Sequence, residues 1–173
     1  MGNIGLFYAS ETGNTRKIAK QIAREHFDAG VIDLYPVEKA NTEMVAGYPS
    51  LIIGTPTVAD GELPDGLTSL LSELDGVDFA GKRVALFGLG DQFSYPQEFA
   101  DALGMLYQDL AARGAQLVGH WPTAGYDYER SKADLGDGHF CGLVLDQDNQ
   151  AEETPERLTT WIDAIRADLL PNA

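Results

Sequence analysis

Five short apolar runs, interspersed with four longer stretches of helical period, constrain the fold of this 173-residue chain most strongly. Apolar strands that lack polar alternation are buried on both faces, as in a parallel sheet covered by helices. The runs, the last of them in two pieces, are Ile4 to Ala9, Val31 to Leu34, Ser50 to Gly54, Val84 to Gly88, and Gln116 to Trp121 with Phe140 to Leu145. The helical stretches are Thr15 to Phe27, Leu67 to Leu74, Glu98 to Arg113 and Pro155 to Leu170. This alternation predicts an α/β fold with an open, doubly wound sheet.

A polar stretch from Pro122 to His139 splits the predicted fifth strand. Loops of that length are uncommon in compact domains and tend to be functional or disordered. Because no repeat or linker interrupts the pattern, we expect one domain over residues 1–173. Thr154 and Pro155 predict an N-cap and an N1 proline for the last helix.

The charge balance restricts the partners that the chain can bind. There are 12 Lys and Arg against 27 Asp and Glu, a formal net charge of −15. Such a chain repels phosphodiester backbones and anionic lipid. The charge therefore predicts no binding to nucleic acid or membrane and favours a basic protein partner. Cys141 is the single cysteine, which excludes an intramolecular disulfide and suits a reducing compartment. We expect a cytoplasmic monomer, and His26, His120 and His139 lack the spacing of metal ligands.

The loop after the first apolar run has the composition of a phosphate site. Ser10-Glu11-Thr12-Gly13-Asn14-Thr15 leads directly into the first predicted helix, whose free N–H groups and dipole attract an anion. A P-loop would need Gly-Lys-Ser/Thr, and a dinucleotide fingerprint would need three spaced glycines, so a mononucleotide fits better. The alternative is an ordinary polar turn in which Thr12 or Asn14 caps the helix.

Two further loops, Thr55 to Glu62 and Gly88 to Pro96, follow the third and fourth runs and flank the same predicted crevice. Their small residues would let backbone amides approach a planar ligand, and Tyr95 could stack on it. Alternatively, Tyr95 is a surface or packing residue.

Together with Gly61-Glu62 and the segment Leu145 to Gln150, these loops resemble a long-chain bacterial flavodoxin along the whole chain. The resemblance implies a single-domain three-layer sandwich with a five-stranded parallel sheet in the order 2-1-3-4-5 and a split fifth strand. It also implies non-covalent FMN and a low-potential one-electron carrier rather than an enzyme. The implied partners are a ferredoxin/flavodoxin-NADP reductase, a 2-oxo acid oxidoreductase or a nitrogenase reductase.

The same resemblance assigns the cofactor contacts. The phosphate would be surrounded by Ser10, Glu11, Thr12, Gly13, Asn14 and Thr15. The outer edge and one face of the ring would be bordered by Pro56, Thr57, Val58, Ala59 and Gly61, its pyrimidine side by Leu89, Gly90 and Asp91, and its other face by Tyr95. The site would be completed by Glu98 and by Asp148, which would lie near the ribityl hydroxyls. An ordinary turn explains Asp148 equally well. Val58 stands where many family members carry a tryptophan, so one ring face should be more open.

The resemblance also implies how the protein separates the two electron steps. The carbonyl of Ala59 would accept a hydrogen bond from flavin N5 only when that nitrogen is protonated in the semiquinone. Between Ala40 and Gly81 and between Val84 and Ala112 there are eleven acids and no base. They predict a low second potential, although a charge run can also be a solvated face.

Two other functions compete with the carrier. A flavin-dependent NAD(P)H:quinone reductase is the alternative, but no second nucleotide fingerprint is apparent. A phosphoacceptor signalling domain would need an aspartate at the end of the third strand, where Thr55 and Pro56 stand.

Overall fold

A parallel sheet in the order β2-β1-β3-β4-β5 forms the centre of the computed structural model, which describes residues 1–171. Four of its strands are β1 (Ile4–Tyr8), β2 (Ile32–Pro36), β3 (Ser50–Pro56) and β4 (Arg83–Leu89). All neighbours on this path pair in parallel, with Ile4 opposite both Ile32 and Ser50. The predicted fold class and strand order are confirmed.

The fifth strand position is filled by two short strands that both pair with β4. β5 (Gln116–Val118) pairs with the beginning of β4, and β8 (Leu143–Leu145) pairs with its end. The predicted split is therefore correct, but both predicted pieces were too long. Gly119 has a left-handed φ of 80° that ends β5. Beyond it, β6 (Trp121–Pro122) and β7 (His139–Phe140) form a separate antiparallel pair.

Within residues 1–171, five α-helices accompany the sheet, and their ends correct several predictions. They are α1 (Asn14–Glu25), α2 (Thr42–Gly47), α3 (Asp65–Ser72), α4 (Asp101–Ala112) and α5 (Thr154–Leu169). The short α2 was not predicted. α4 begins at Asp101 rather than Glu98 because Ala100 has a left-handed φ of 52°. Thr154 does not cap α5, since the chain enters α5 from a 3-10 turn and the Thr154 hydroxyl hydrogen-bonds Gln147 instead.

Apolar residues pack in two layers, one on each face of the sheet. Successive residues of β3 point to opposite faces, so Leu51 and Ile53 join the layer with α3 and α4, while Ile52 joins the layer with α1 and α5. β1 and β3 are buried along both faces, as their uninterrupted apolar sequences predicted. Within the described residues, no helix has the length and apolar character needed to cross a membrane.

Residues 123–138, here called the insertion, connect β6 to β7 and lie against α4. A Cβ added to Gly104 of α4 would stand 2.2 Å from the Lys132 carbonyl oxygen, so the two backbones are in direct contact. Ala133 of the insertion and Cys141 just beyond it are fully buried in the same apolar layer. Burial raises the pKa of the Cys141 thiol to about 12, which keeps it protonated.

Candidate functional site

The loop from β1 to α1 presents the start of a 12-residue helix at the carboxyl edge of the sheet. Gly13 is the N-cap and has a φ of 93°, a conformation that glycine adopts without steric cost. Its N–H donates to the Ser10 hydroxyl at 3.0 Å. Because that hydroxyl acts as an acceptor there, its own proton remains available to a ligand.

Thr15, in the first turn of α1, carries an unusual side chain. The residue is only 1% exposed, and among the described residues its hydroxyl oxygen has no hydrogen-bond partner. A buried hydroxyl without a partner costs free energy on the order of 1–3 kcal/mol, so such groups normally meet a ligand or water. It directly follows Asn14, which lines the cavity described below.

After β3 the chain makes a tight turn closed by hydrogen bonds between Val58 and Glu62. The Val58 N–H donates to the Glu62 carbonyl at 3.0 Å, and the Glu62 N–H donates back at 2.7 Å. Within this turn Ala59 has a φ of 47° and Gly61 a φ of 99°. Left-handed backbone is strained for alanine but not for glycine. Ala59 therefore occupies a conformation that a glycine at this position would adopt at less cost.

The start of α4 supports this turn. The Thr57 hydroxyl accepts a hydrogen bond from the Ala102 N–H at 3.2 Å. A Cβ on Gly61 would stand 2.9 Å from the Asp101 carboxylate and 3.1 Å from the Glu98 Cβ. The turn after β3 is therefore packed directly onto the residues that precede and begin α4.

After β4, the Asp91 carboxylate organises the next loop. It accepts hydrogen bonds from the Phe93 N–H at 3.2 Å, the Ser94 N–H at 2.9 Å and the Asn149 amide at 2.8 Å. Burial acts to raise the pKa of Asp91, but these hydrogen bonds together hold the pKa below its usual value. Tyr95 follows, and half of its surface is exposed.

The segment after β8 contributes a second carboxylate and a turn. Asp146 is fully buried and accepts hydrogen bonds from the Gln92 N–H at 3.0 Å, the Gln92 side chain at 2.8 Å and the Asn149 N–H at 3.0 Å. Asp148, in the turn that follows, has a raised pKa. Desolvation is the main cause, and the negative charges of Asp91 and Asp146 add to it.

These loops surround a cavity of about 340 Å³, here called the loop cavity. Its lining residues are Glu11, Thr12, Asn14, Pro56, Thr57, Val58, Ala59, Gly61, Leu89, Gly90, Asp91, Tyr95, Glu98, Ala100, Gln147 and Asp148. Fourteen of the seventeen residues that the sequence analysis assigned to a cofactor are in this set. The other three, Ser10, Gly13 and Thr15, lie in the loop between β1 and α1 or in the first turn of α1 and do not line the cavity.

Two lining residues, Ala100 and Gln147, were missed by the sequence analysis. Ala100 enters the lining because its left-handed backbone places it just ahead of α4, and an alanine gives no sequence signal for this. Gln147 stands next to the predicted Asp148, so extending that turn by one residue would have found it.

The cavity wall is acidic, and it includes no lysine or arginine among the described residues. Its carboxylates are Glu11, Asp91, Glu98 and Asp148. Asp60 and Glu62 are exposed on the turn after β3 but do not line the cavity. A ligand phosphate at the α1 end would therefore rely on N–H groups, hydroxyls and the helix dipole.

Comparisons with known proteins show the family of the chain. The flavodoxin family profile matches residues 6–161. A flavodoxin of Synechocystis sp. is 45% identical over 166 residues, covering 96% of this chain and 97% of its own length. A flavodoxin of Klebsiella pneumoniae is 44% identical and covers 98% and 100% of the two chains.

A solved structure supports the same assignment. The crystal structure of Fusobacterium nucleatum flavodoxin bound to flavin mononucleotide superimposes with a TM-score of 0.87 at 33% identity, covering 97% of this chain and 99% of that one. The chain belongs to the flavodoxin family.

Proposed function

We propose that this protein binds FMN non-covalently in the loop cavity and carries single electrons at low potential between a reductase and acceptor redox enzymes. The observation that carries the proposal is the combination of the loop cavity at the carboxyl edge of the sheet with the buried Thr15 hydroxyl, which has no hydrogen-bond partner among residues 1–171 and follows the lining residue Asn14. A cavity of this size lies in the range that binds small molecules and cofactors. Flavodoxins are electron-transfer proteins rather than enzymes.

The loop between β1 and α1 is the proposed phosphate site. Ser10, Thr12 and Thr15 would donate from their hydroxyls, and the Asn14 N–H would donate from the helix start, while the Gly13 N–H holds the Ser10 hydroxyl in place. Glu11 lines the cavity at the same end. Since no cation is present in this loop, the binding energy would come from hydrogen bonds to the phosphate oxygens and from the dipole of α1.

The other loops are the proposed ring site. Pro56, Val58 and Ala59 would border one side of the isoalloxazine, with Thr57 and Gly61 fixing their turn, and Tyr95 would cover the opposite side. Val58 offers only an aliphatic contact where a tryptophan could have stacked.

The remaining lining residues would hold the rest of the cofactor. Leu89, Gly90 and Asp91 would lie along the pyrimidine edge of the ring. Glu98 and Asp148 would complete the wall, Asp148 toward the ribityl chain.

Bound FMN supplies the redox chemistry, and the residues around it set the potentials. The Ala59 carbonyl is the proposed acceptor for the proton that flavin N5 lacks in the oxidised ring and carries after reduction. The carboxylates Glu11, Asp91, Glu98 and Asp148 would oppose the negative charge that the second electron adds, which lowers the second potential.

The partners would be redox proteins with a basic face, because the cavity rim is acidic and the chain has a net charge of −15. A ferredoxin/flavodoxin-NADP reductase, a 2-oxo acid oxidoreductase and a nitrogenase reductase are the proposed classes.

The test combines binding with turnover. We expect titration of FMN with the FMN-free protein to quench flavin fluorescence at a stoichiometry of one. The loaded protein should then leave NADPH unoxidised until a catalytic amount of an NADP-dependent flavoprotein reductase is added. Failure to bind FMN would contradict the proposal. Steady NADPH oxidation by the protein alone, with a quinone as acceptor, would instead support the quinone reductase.

A further inference from the structure

Several residues of the insertion form hydrogen bonds with the segment that runs from the end of β4 to the start of α4. The N–H groups of Glu129 and Arg130 both donate to the Pro96 carbonyl, at 2.8 and 3.0 Å. The Lys132 N–H donates to the Asp101 carboxylate at 2.8 Å. The insertion therefore contacts the loop that carries Asp91 and Tyr95, two residues of the cavity wall.

Gln92 makes the buried part of this attachment. The residue is 2% exposed, although a glutamine in a loop would ordinarily face water. Its side-chain oxygen accepts a hydrogen bond from the Asp127 N–H of the insertion at 2.6 Å. Its side-chain nitrogen donates to the Asp146 carboxylate at 2.8 Å. One side chain thus joins the insertion to the segment after β8.

Asp146 continues the connection to the cavity. It binds both the backbone and the side chain of Asn149, and the Asn149 amide also donates to Asp91. Asp91 and Asp148 both line the cavity. Because the Asp146 carboxylate is fully buried, losing one of its hydrogen-bond donors costs free energy. The residues that donate to it are therefore held in place by these hydrogen bonds.

We infer that Gln92 is a positioning residue that holds the Asp91 and Asp148 segments in the geometry required for FMN, with the insertion as its anchor. This inference rests on the proposed function. Gln92 does not line the cavity itself, so it acts only through Asp146, Asn149 and the backbone of its own loop.

The central experiment compares Gln92→Leu with a matched control, Gln97→Leu. Gln97 lies on the same loop and also bonds the insertion, with its amide 3.0 Å from the Glu129 carboxylate, but it is exposed. We expect Gln92→Leu to weaken FMN binding about tenfold or more, and Gln97→Leu to change it less than about twofold. Hydrogen exchange of the Asp127 N–H, measured by NMR on the FMN-free full chain, should accelerate only in Gln92→Leu.

A second variant, Gln92→Glu, keeps the shape of the side chain and the acceptor for Asp127, but at a pH that ionises both carboxyl groups it repels Asp146 instead of donating to it. We expect near-native exchange at the Asp127 N–H together with weakened FMN binding, a combination that general loss of stability does not produce. If Gln92→Leu does not fold, the FMN affinity of Gln92→Glu tests the inference in its place.

Two outcomes would overturn the inference. One is native FMN affinity in Gln92→Glu or Gln92→Leu, and the other is an equal loss in Gln97→Leu. Failure of the unmodified chain to bind FMN would instead contradict the proposed function.

Discussion

At the scale of single residues, the buried Thr15 hydroxyl gives the sharpest prediction. Thr15→Val removes a group that has no partner among the described residues, so the FMN-free protein should unfold at the same or a higher urea concentration. FMN affinity should fall roughly tenfold or more, the effect of a lost hydrogen bond to a charged group. Riboflavin, which lacks the phosphate, is the control ligand and should bind both proteins equally. An equal loss for FMN and riboflavin would place the Thr15 contribution outside the phosphate site.

Ala59 is the second residue whose conformation has a functional consequence. Its φ of 47° would cost about 1 kcal/mol that glycine avoids, which corresponds to about 40 mV for one electron. We expect Ala59→Gly to widen the separation between the two midpoint potentials of the FMN-loaded protein by up to about this amount. Spectroelectrochemical titration measures it. An unchanged separation would mean that Ala59 is equally strained in all redox states, contrary to its proposed role.

At the scale of elements, the contact between Gly104 of α4 and the insertion is testable by adding one methyl group. Gly104→Ala places a Cβ 2.2 Å from a backbone oxygen that cannot rotate away, so we expect a loss of about 1–3 kcal/mol in the free energy of unfolding. Gly47→Ala in α2 is the control, because its added Cβ would meet nothing closer than 3.7 Å. Urea unfolding measures both. Equal stability of the two variants would contradict the packing of the insertion on α4.

The comparison of sequence with structure also belongs at this scale. The parallel sheet followed from the apolar runs, and its strand order followed from the resemblance. The three loops that surround the cavity followed from their place after strands. The start of α4 was not predictable, because Ala100 adopts its left-handed backbone under tertiary packing. The burial of Gln92 was hidden as well, since its partners Asp127 and Asp146 are 35 and 54 residues away along the chain.

At the scale of the whole molecule, charge variants can test whether the position of the acidic residues, rather than the net charge alone, affects the FMN potentials. Asp60→Asn, Glu62→Gln and Asp91→Asn together should raise the second midpoint potential by tens of millivolts, because less negative charge then opposes the second electron. Asp28→Asn, Asp78→Asn and Asp168→Asn make the same charge change at exposed positions near the opposite edge of the sheet and should raise it much less. A comparable rise in both triple variants would show that only the net charge matters.

The same charge should govern association with a basic partner. We expect the rate of electron transfer to such a partner to fall as salt is added, because screening shortens the range of the attraction. Stopped-flow mixing at increasing ionic strength measures this rate. A rate independent of salt would contradict electrostatic orientation.

The most direct measurement is a potentiometric titration of the FMN-loaded protein followed by its visible spectrum. The account predicts two separate one-electron steps, the second at a lower potential than either step of free FMN, because the proposed complex would surround the cofactor with carboxylates and with a turn that responds to its redox state. A single two-electron transition at the potential of free FMN would contradict it.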